Sequence, residues 1–248
     1  MCDSKKFDIV ICVGPNDVDI VNSVVFYSKK NILEYRNIYL ICQDPSIKIE
    51  NTITIDEKIF PFSIDDVSKY HGKRNRNGWY LQQLLKMYAG KVIPGILQKY
   101  LVIDCDTHFL KLTKFLTDDN KQYLTTGTEY HVPYFIHMNK LHPSLSKVHP
   151  LSGISHHTFF DTKIMDSLIE LVELYHKESK KVFWEIFLVN VDSINYDTSG
   201  SAENELYFTY AYIYHSDKIK IRELDWKNVN KLDLNTNCDF LSVHWYLR

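Results

Sequence analysis

The sequence predicts an α/β fold: one domain built on a mostly parallel central sheet flanked by helices. Three observations lead there. Apolar, strand-like runs alternate with amphipathic helical stretches through the first hundred residues. The run Tyr100-Leu101-Val102-Ile103 ends in Asp104-Cys105-Asp106-Thr107, as a buried parallel strand does when it delivers acids to its C-terminal edge. Finally, 248 residues with 45% hydrophobic side chains, 8 Gly, 7 Pro and no repeat, low-complexity tract or linker suit one large core better than two separate domains.

Taken in order, Phe7 to Val13 reads as a first central strand, stopped by Gly14-Pro15-Asn16-Asp17, where Gly and Pro break the strand and Asn or Asp caps a helix. Val18 to Lys30 has apolar residues at helical spacing and closes on two lysines suited to a helix C-terminus. Asn37 to Cys42 is a second strand and completes a βαβ unit, whose crossover should be right-handed. Ile53 to Ile55 is a short third strand, with a helical turn at Ser63 to Tyr70 behind it. A polar loop from His71 to Gly78 feeds an amphipathic helix, Trp79 to Tyr88, whose apolar face is Trp79, Leu81, Leu84, Leu85 and Tyr88. After the acidic strand, His108 to Leu110 and Tyr123 to Thr126 read as strands. Residues 131–157, rich in His, Pro and aromatics, read as loops lining a cleft, or as carrying ordinary surface histidines. Phe160 to His176 is an amphipathic helix capped by Asp161, with core positions Ile164, Leu168, Leu171, Val172 and Tyr175. Phe183 to Val191 is a second buried helix, and a third begins at Ala202 after the loop Asp197 to Ser201. Ile219 to Ile221 and Phe240 to Trp245 are late strands.

Charge excludes some functions. A net charge of −2 provides no global field for a polyanion, so nucleic acid and membrane surfaces are poor partners. No signal-peptide core or apolar run of about 18 residues occurs, so the expectation is a cytoplasmic protein without an integral membrane segment. The five cysteines, at 2, 12, 42, 105 and 238, are odd in number, widely spread and mostly within apolar runs. That pattern fits packed, reduced thiols.

Two stretches carry chemistry. Along an extended chain Asp104 and Asp106 project to the same side with Cys105 opposite, so both carboxylates can share one cation; the alternative is a polar strand end that caps a turn. The loop His71-Gly72-Lys73-Arg74-Asn75-Arg76-Asn77-Gly78 could hold phosphates with Lys73, Arg74 and Arg76 and with helix-start N–H groups, or be a solvated charge run. Pro15, Asn16 and Asp17, at the end of the first strand, stand where open α/β sheets bind their ligands.

In this order of features the chain resembles the GT-A class of nucleotide-sugar glycosyltransferases. The resemblance is strongest to little-characterised glycosyltransferase-like proteins of bacteria and large viruses. They carry runs similar to Arg76-Asn77-Gly78-Trp79-Tyr80-Leu81-Gln82-Gln83, Ser152-Gly153-Ile154-Ser155 and Ser201-Ala202-Glu203-Asn204-Glu205-Leu206-Tyr207-Phe208. The likeness spans residues 7–248 and implies a nucleotide-binding half, about 1–110, and an acceptor half, about 111–248. It implies a reaction in which a sugar passes from a nucleoside-diphosphate sugar, UDP-sugar favoured, to a hydroxyl of a glycan or glycoconjugate. Pro15, Asn16, Asp17, Lys73, Arg74, Arg76, Trp79, Gln82, Asp104, Gly153, Ser155 and His156 would bind the nucleotide-sugar. A second likeness, to the glycogenin and bacterial galactosyltransferase family, implies that a C-terminal His joins the Asp-x-Asp on the metal, making Asp104, Asp106 and His244 the ligands of Mn²⁺ or Mg²⁺. Phe240, Leu241, Val243 and Trp245 would anchor that His. Glu-Asn-Glu-Leu resembles the Glu-Asp-x-x-Leu signature of inverting enzymes, so Glu203 is the candidate general base and Glu205 the fallback, while the metal-ligating His resembles that of a retaining family, leaving inversion and retention both open. The alternative for both is a pair of acids favoured by a helix dipole.

Two rival functions use the same residues. Leu101 to Thr107 also resembles the apolar-strand Asp-x-Asp-x-Thr motif of haloacid-dehalogenase-like phosphatases, though here Thr107 follows Asp106 directly, with Asp104 as nucleophile and Asp106 as acid/base. That motif belongs on the first strand of its fold, whereas about a hundred residues precede it here. The other rival is a catalytically silent nucleotide-sugar-binding module.

Overall fold

In Phe7–Val13 every residue is buried, as a strand covered on both faces requires, and this run is β1, the middle strand of the molecule. The coordinates are a computed structural model that describes residues 6–244 and 247. Met1, Cys2 and Trp245 lie outside the described residues.

From β1 the chain passes through a single 3-10 turn, Pro15–Asp17, into α1, Val18–Asn31, which ends on Lys29 and Lys30 as expected. β2, Tyr35–Cys42, returns parallel to β1, and β3, Ile53–Asp56, pairs parallel to β2. α2, Ile64–His71, opens on a capping box in which the Ser63 hydroxyl and the Asp66 carboxylate satisfy each other's backbone N–H groups. α3, Asn77–Val92, is longer at both ends than its apolar face suggested. β4, Lys99–Asp104, then enters on the other side of β1.

The five-stranded sheet has the order β3-β2-β1-β4-β7. Its first four strands are parallel, and β7, His157–Asp161, runs antiparallel to β4, so the sheet is mixed and β4 stands one place from the centre. On one face Tyr100 reaches α3, where its hydroxyl donates to the carbonyls of Lys86 and Met87 at 3.1 and 3.3 Å. On the other, Phe7 and Phe159 pack against Phe115. That face also carries a second sheet, β5-β10-β9, in which β10 (Phe240–Val243) pairs antiparallel to β5 (Thr107–Phe109) and parallel to β9 (Trp226–Val229). Phe109 and Phe240 both meet the buried His157 ring. A third, two-stranded sheet joins β6 (Gln122–Thr126) to β8 (Ile219–Glu223).

Residues 131–157 are not all loop. Val132–Leu141 forms α4, with Pro133 in its first turn, where the missing N–H costs nothing. The helix beginning near Phe160 starts instead at Thr162: α5 is Thr162–Tyr175, and the two phenylalanines ahead of it belong to β7. Asp161 caps α5 as expected, its carboxylate accepting from the N–H of Lys163 at 2.9 Å. Ile164, Leu168 and Val172 are buried, but Tyr175 is exposed. α6, Phe183–Val189, and α7, Glu203–Tyr214, complete the set. Cys12, Cys42, Cys105 and Cys238 are free thiols. Among the described residues no helix is long and apolar enough to cross a membrane.

Candidate metal centre at the sheet edge

The strand order places the site. β1 is followed by a strand on one side and β4 enters on the other, so the chain reverses direction across the sheet between β1 and β4. Ligand crevices of open α/β sheets lie at such a switch point, outside the C-terminal strand ends. Here Cys12 of β1 pairs with Asp104 of β4, which brings the Pro15–Asp17 turn and Asp104-Cys105-Asp106 to the same edge.

Antiparallel pairing supplies a third group. Because β7 runs against β4, the residue leading into β7 lies beside the last residue of β4: the Asp104 N–H donates to the His156 carbonyl at 2.9 Å. The two side chains then share a face, with His156 Nδ1 3.4 Å from Asp104 Oδ2. At Cys105 the chain turns, burying the thiol toward the Asp17 carbonyl, and leaves Asp106 on the side of Asp104. β10 fixes Asp106. Ser242 Oγ donates to Asp106 Oδ1 at 2.9 Å, and the N–H of Val243 donates to its carbonyl at 2.8 Å. The C-terminal stretch thus folds back beside the Asp-x-Asp, as expected from the sequence.

One donor atom each from Asp104, Asp106 and His156 lie within 4.8 Å of one another. Ligands around a hard divalent cation at about 2.1–2.5 Å are about 3–5 Å apart, so the three donors fit a single ion. Their titration behaviour agrees with a site short of positive charge. Burial and the adjacent Asp104 charge raise the Asp106 carboxyl above the usual carboxylate range. Burial alone would raise Asp104 too, but the Lys86 ammonium and His156 outweigh it and hold that carboxyl well below its usual range. His156 is raised, because Asp104 and Asp106 outweigh the burial that disfavours its cation. Two carboxylates and an imidazole are the donor set of Mn²⁺ or Mg²⁺ chemistry, with the nitrogen favouring Mn²⁺.

His244 stands one ring further out. It is not one of the three clustered ligands; its ring meets that of His156 edge-on, with centroids 5.3 Å apart. The third donor of the cluster is thus His156, which the likeness places on the nucleotide-sugar, whereas the likeness gives the ligand role to His244. Trp226 packs on His156 from the other strand of the small sheet.

The arginines of the basic loop contact the 197–199 loop. Arg74 pairs with Asp197 at 2.9 Å, and Arg76 donates to Ser199 Oγ at 3.1 Å while its guanidinium lies 4.5 Å over the Trp79 ring. These guanidiniums hold the 197–199 loop rather than converge on the acidic edge. From Arg76 to Lys86, which touches Asp104, is about 15 Å along α3. Lys73 is exposed, Gln82 half-buried, and Trp79 is shared between Arg76 and a stacked Tyr134 ring. The histidines at 131, 137, 142 and 149 do not converge either: His131 and His137 bond the carbonyls of Ser199 and Phe187, and His142 and His149 bond near neighbours in their own loop.

The three runs that carry the resemblance, distant in sequence, dock on one another. Tyr80 accepts from the N–H of Gly200 at 3.1 Å, and Ser201 Oγ donates to Gln83 Oε1 at 3.0 Å. The Asn204 amide donates to the Ser155 carbonyl at 2.9 Å, and the Gly153 N–H donates to Glu205. Gly153 is required there, because a Cβ would stand 2.3 Å from Cβ of Phe208. Gly153 and Ser155 therefore seat on α7 the segment that carries His156. Glu205 is fully buried in this contact, with Thr209 and Lys147 as further neighbours, and burial raises its carboxyl. Glu203 faces the sheet edge instead, its Oε1 2.7 Å from Lys86 Nζ.

Sequence reasoning missed Lys86. Only 5% exposed, it bridges Asp104 Oδ1 at 2.6 Å and Glu203. A signal was present. α3 is buried on every residue from Gln83 to Ala89, and a lysine in such a stretch needs carboxylate partners. No family model matches this chain, and no curated protein matches it either.

Proposed function

We propose that the chain is a metal-dependent glycosyltransferase that moves a sugar from a nucleoside-diphosphate sugar, UDP-sugar favoured, to a hydroxyl of a glycan or glycoconjugate. The observation that carries this reading is the cluster of Asp104, Asp106 and His156 at the switch point between β1 and β4, with the Pro15–Asp17 turn beside it. A nucleotide laid over that turn puts its diphosphate on the acidic edge, where only a cation can make the contact favourable. Asp104, Asp106 and His156 would hold Mn²⁺ or Mg²⁺, which when bound would offset the charge that develops on the departing diphosphate.

The chain's own residues do the rest. Asp17 and its neighbours orient the base and ribose. Glu203 is the carboxylate assigned to the acceptor hydroxyl: it shares the Lys86 ammonium with Asp104, so it stands at the reacting edge. Glu205, committed to Gly153, acts on the fold.

Release of nucleoside diphosphate from a panel of nucleotide-sugars, with and without Mn²⁺, tests the proposal. Turnover of at least one donor is expected with Mn²⁺ alone, reduced about 100-fold or more in Asp106→Asn. Hydrolysis of p-nitrophenyl phosphate without any nucleotide-sugar turnover would instead favour the phosphatase, and binding without turnover the silent module.

A further inference from the structure

Lys86 occupies an unusual position for a charged side chain. It lies in the buried middle of α3 and spans two elements that sequence separates widely, Asp104 at the end of β4 and Glu203 in the first turn of α7. One carboxylate would satisfy a lysine that only fills space. Two carboxylates, one of them a candidate metal ligand, make a shared ammonium, and the sharing constrains how Asp104 can bind. Lys86 Nζ takes Oδ1 at 2.6 Å, whereas Oδ2 lies on the His156 side at 3.4 Å. The carboxylate is thus divided, one oxygen for the ammonium and one for the cluster. Charge is divided in the same way. Asp104, Asp106 and Glu203 supply three negative charges and Lys86 one positive, so the ammonium competes with any dication for the same field.

Resting on the metal-site reading above, we propose that Lys86 is a positioning residue and the resident counter-ion of the cation site: it holds Asp104 to one-oxygen ligation and deliberately weakens the site's grip on its ion. Such tempering suits a cation that must travel with a diphosphate, because a site that binds the free ion too tightly gains nothing when the phosphates arrive. It also ties Glu203, in the first turn of α7, to the same edge.

The test is calorimetric titration of Mn²⁺ into the full chain, without nucleotide, for the wild type and Lys86→Met. Removal of the ammonium frees Asp104 Oδ1 and deletes a repulsion, so the Lys86→Met protein is expected to bind Mn²⁺ about tenfold or more tightly. A merely structural lysine gives the opposite sign, because its loss disorders Asp104 and weakens binding. Should Lys86→Met fail to fold, Lys86→Gln removes the ammonium while keeping a polar side chain between the two carboxylates. It is likewise expected to bind Mn²⁺ more tightly than wild type. Unchanged or weaker Mn²⁺ binding in the folded variant overturns the role of Lys86 and leaves the metal site standing. No Mn²⁺ isotherm in either the wild type or the folded Lys86 variant overturns both.

Discussion

Gly153 shows how one missing side chain seats a candidate metal ligand. Its N–H bonds Glu205, and a methyl group there would meet Phe208 Cβ at 2.3 Å. Gly153→Ala is therefore expected to lower unfolding free energy in urea by about 1–3 kcal/mol and to weaken Mn²⁺ binding by shifting His156; combining it with Phe208→Ala should restore part of the binding. Unaltered stability in the single variant would contradict the close approach. At this scale the sequence was informative where a residue's chemistry is local. Asp104 and Asp106 were legible from an apolar run that ends in alternating acids. The place of His156 beside them was not, because it is set by the antiparallel pairing of β7 with β4, a tertiary fact. Glu203 was legible only as an acid in a helix's first turn, and its partner Lys86 only as an interruption of an apolar pattern.

Elements were easiest to read where periodicity and punctuation agree, as in β1, α1, β4 and α5. α4 was hidden by its Pro and by a histidine that looks polar but is buried on a backbone carbonyl, His137 on Phe187. β7 was hidden because its phenylalanines run directly into the Asp161 cap and continue the apolar pattern of α5, while β9, four residues with Lys and Asn between its two apolar ends, is too short to show a strand period. Between elements, the brace at the opposite edge of the sheet is Asp8. Fully buried, it accepts from the Arg36 guanidinium at 3.0 and 2.6 Å and from the N–H groups of Asn37 and Leu97. This joins the starts of β1 and β2 to the connection ahead of β4. Asp8→Ala strands Arg36 and two N–H donors, so a loss of about 3–5 kcal/mol is expected in chemical denaturation. The Mn²⁺ affinity of the protein that remains folded should not change, since the brace is at the far end of the strands.

Taken as a whole, the molecule keeps its polar machinery at one sheet edge and neutral histidines in its core. His137 is the clearest example: burial pushes its pKa down from 6.5 to about 4, with the Phe187 carbonyl only partly offsetting this. The native state holds it neutral while the unfolded chain protonates near 6.5. Its contribution is therefore complete above that pH, declines as pH falls from 6.5 toward 4, and levels off below, for a total of about 3 kcal/mol. Urea unfolding at pH 7 and pH 5 should show that decline, and His137→Gln should flatten it; an equal slope in both proteins would contradict the assignment. The fold class and the acidic edge were legible in the sequence because strand–helix alternation and a strand-end Asp-x-Asp are local patterns. The mixed sheet and the place of His156 beside Asp104 were not, since both depend on which way a distant strand runs. The central claim is that Asp104, Asp106 and His156 form one cation site. Calorimetric titration of Mn²⁺ into wild type, Asp106→Asn, His156→Ala and His244→Ala tests it most directly. Binding at one site per chain is expected, abolished in Asp106→Asn, weakened at least about tenfold in His156→Ala and largely kept in His244→Ala; full-strength binding by Asp106→Asn and His156→Ala would contradict it.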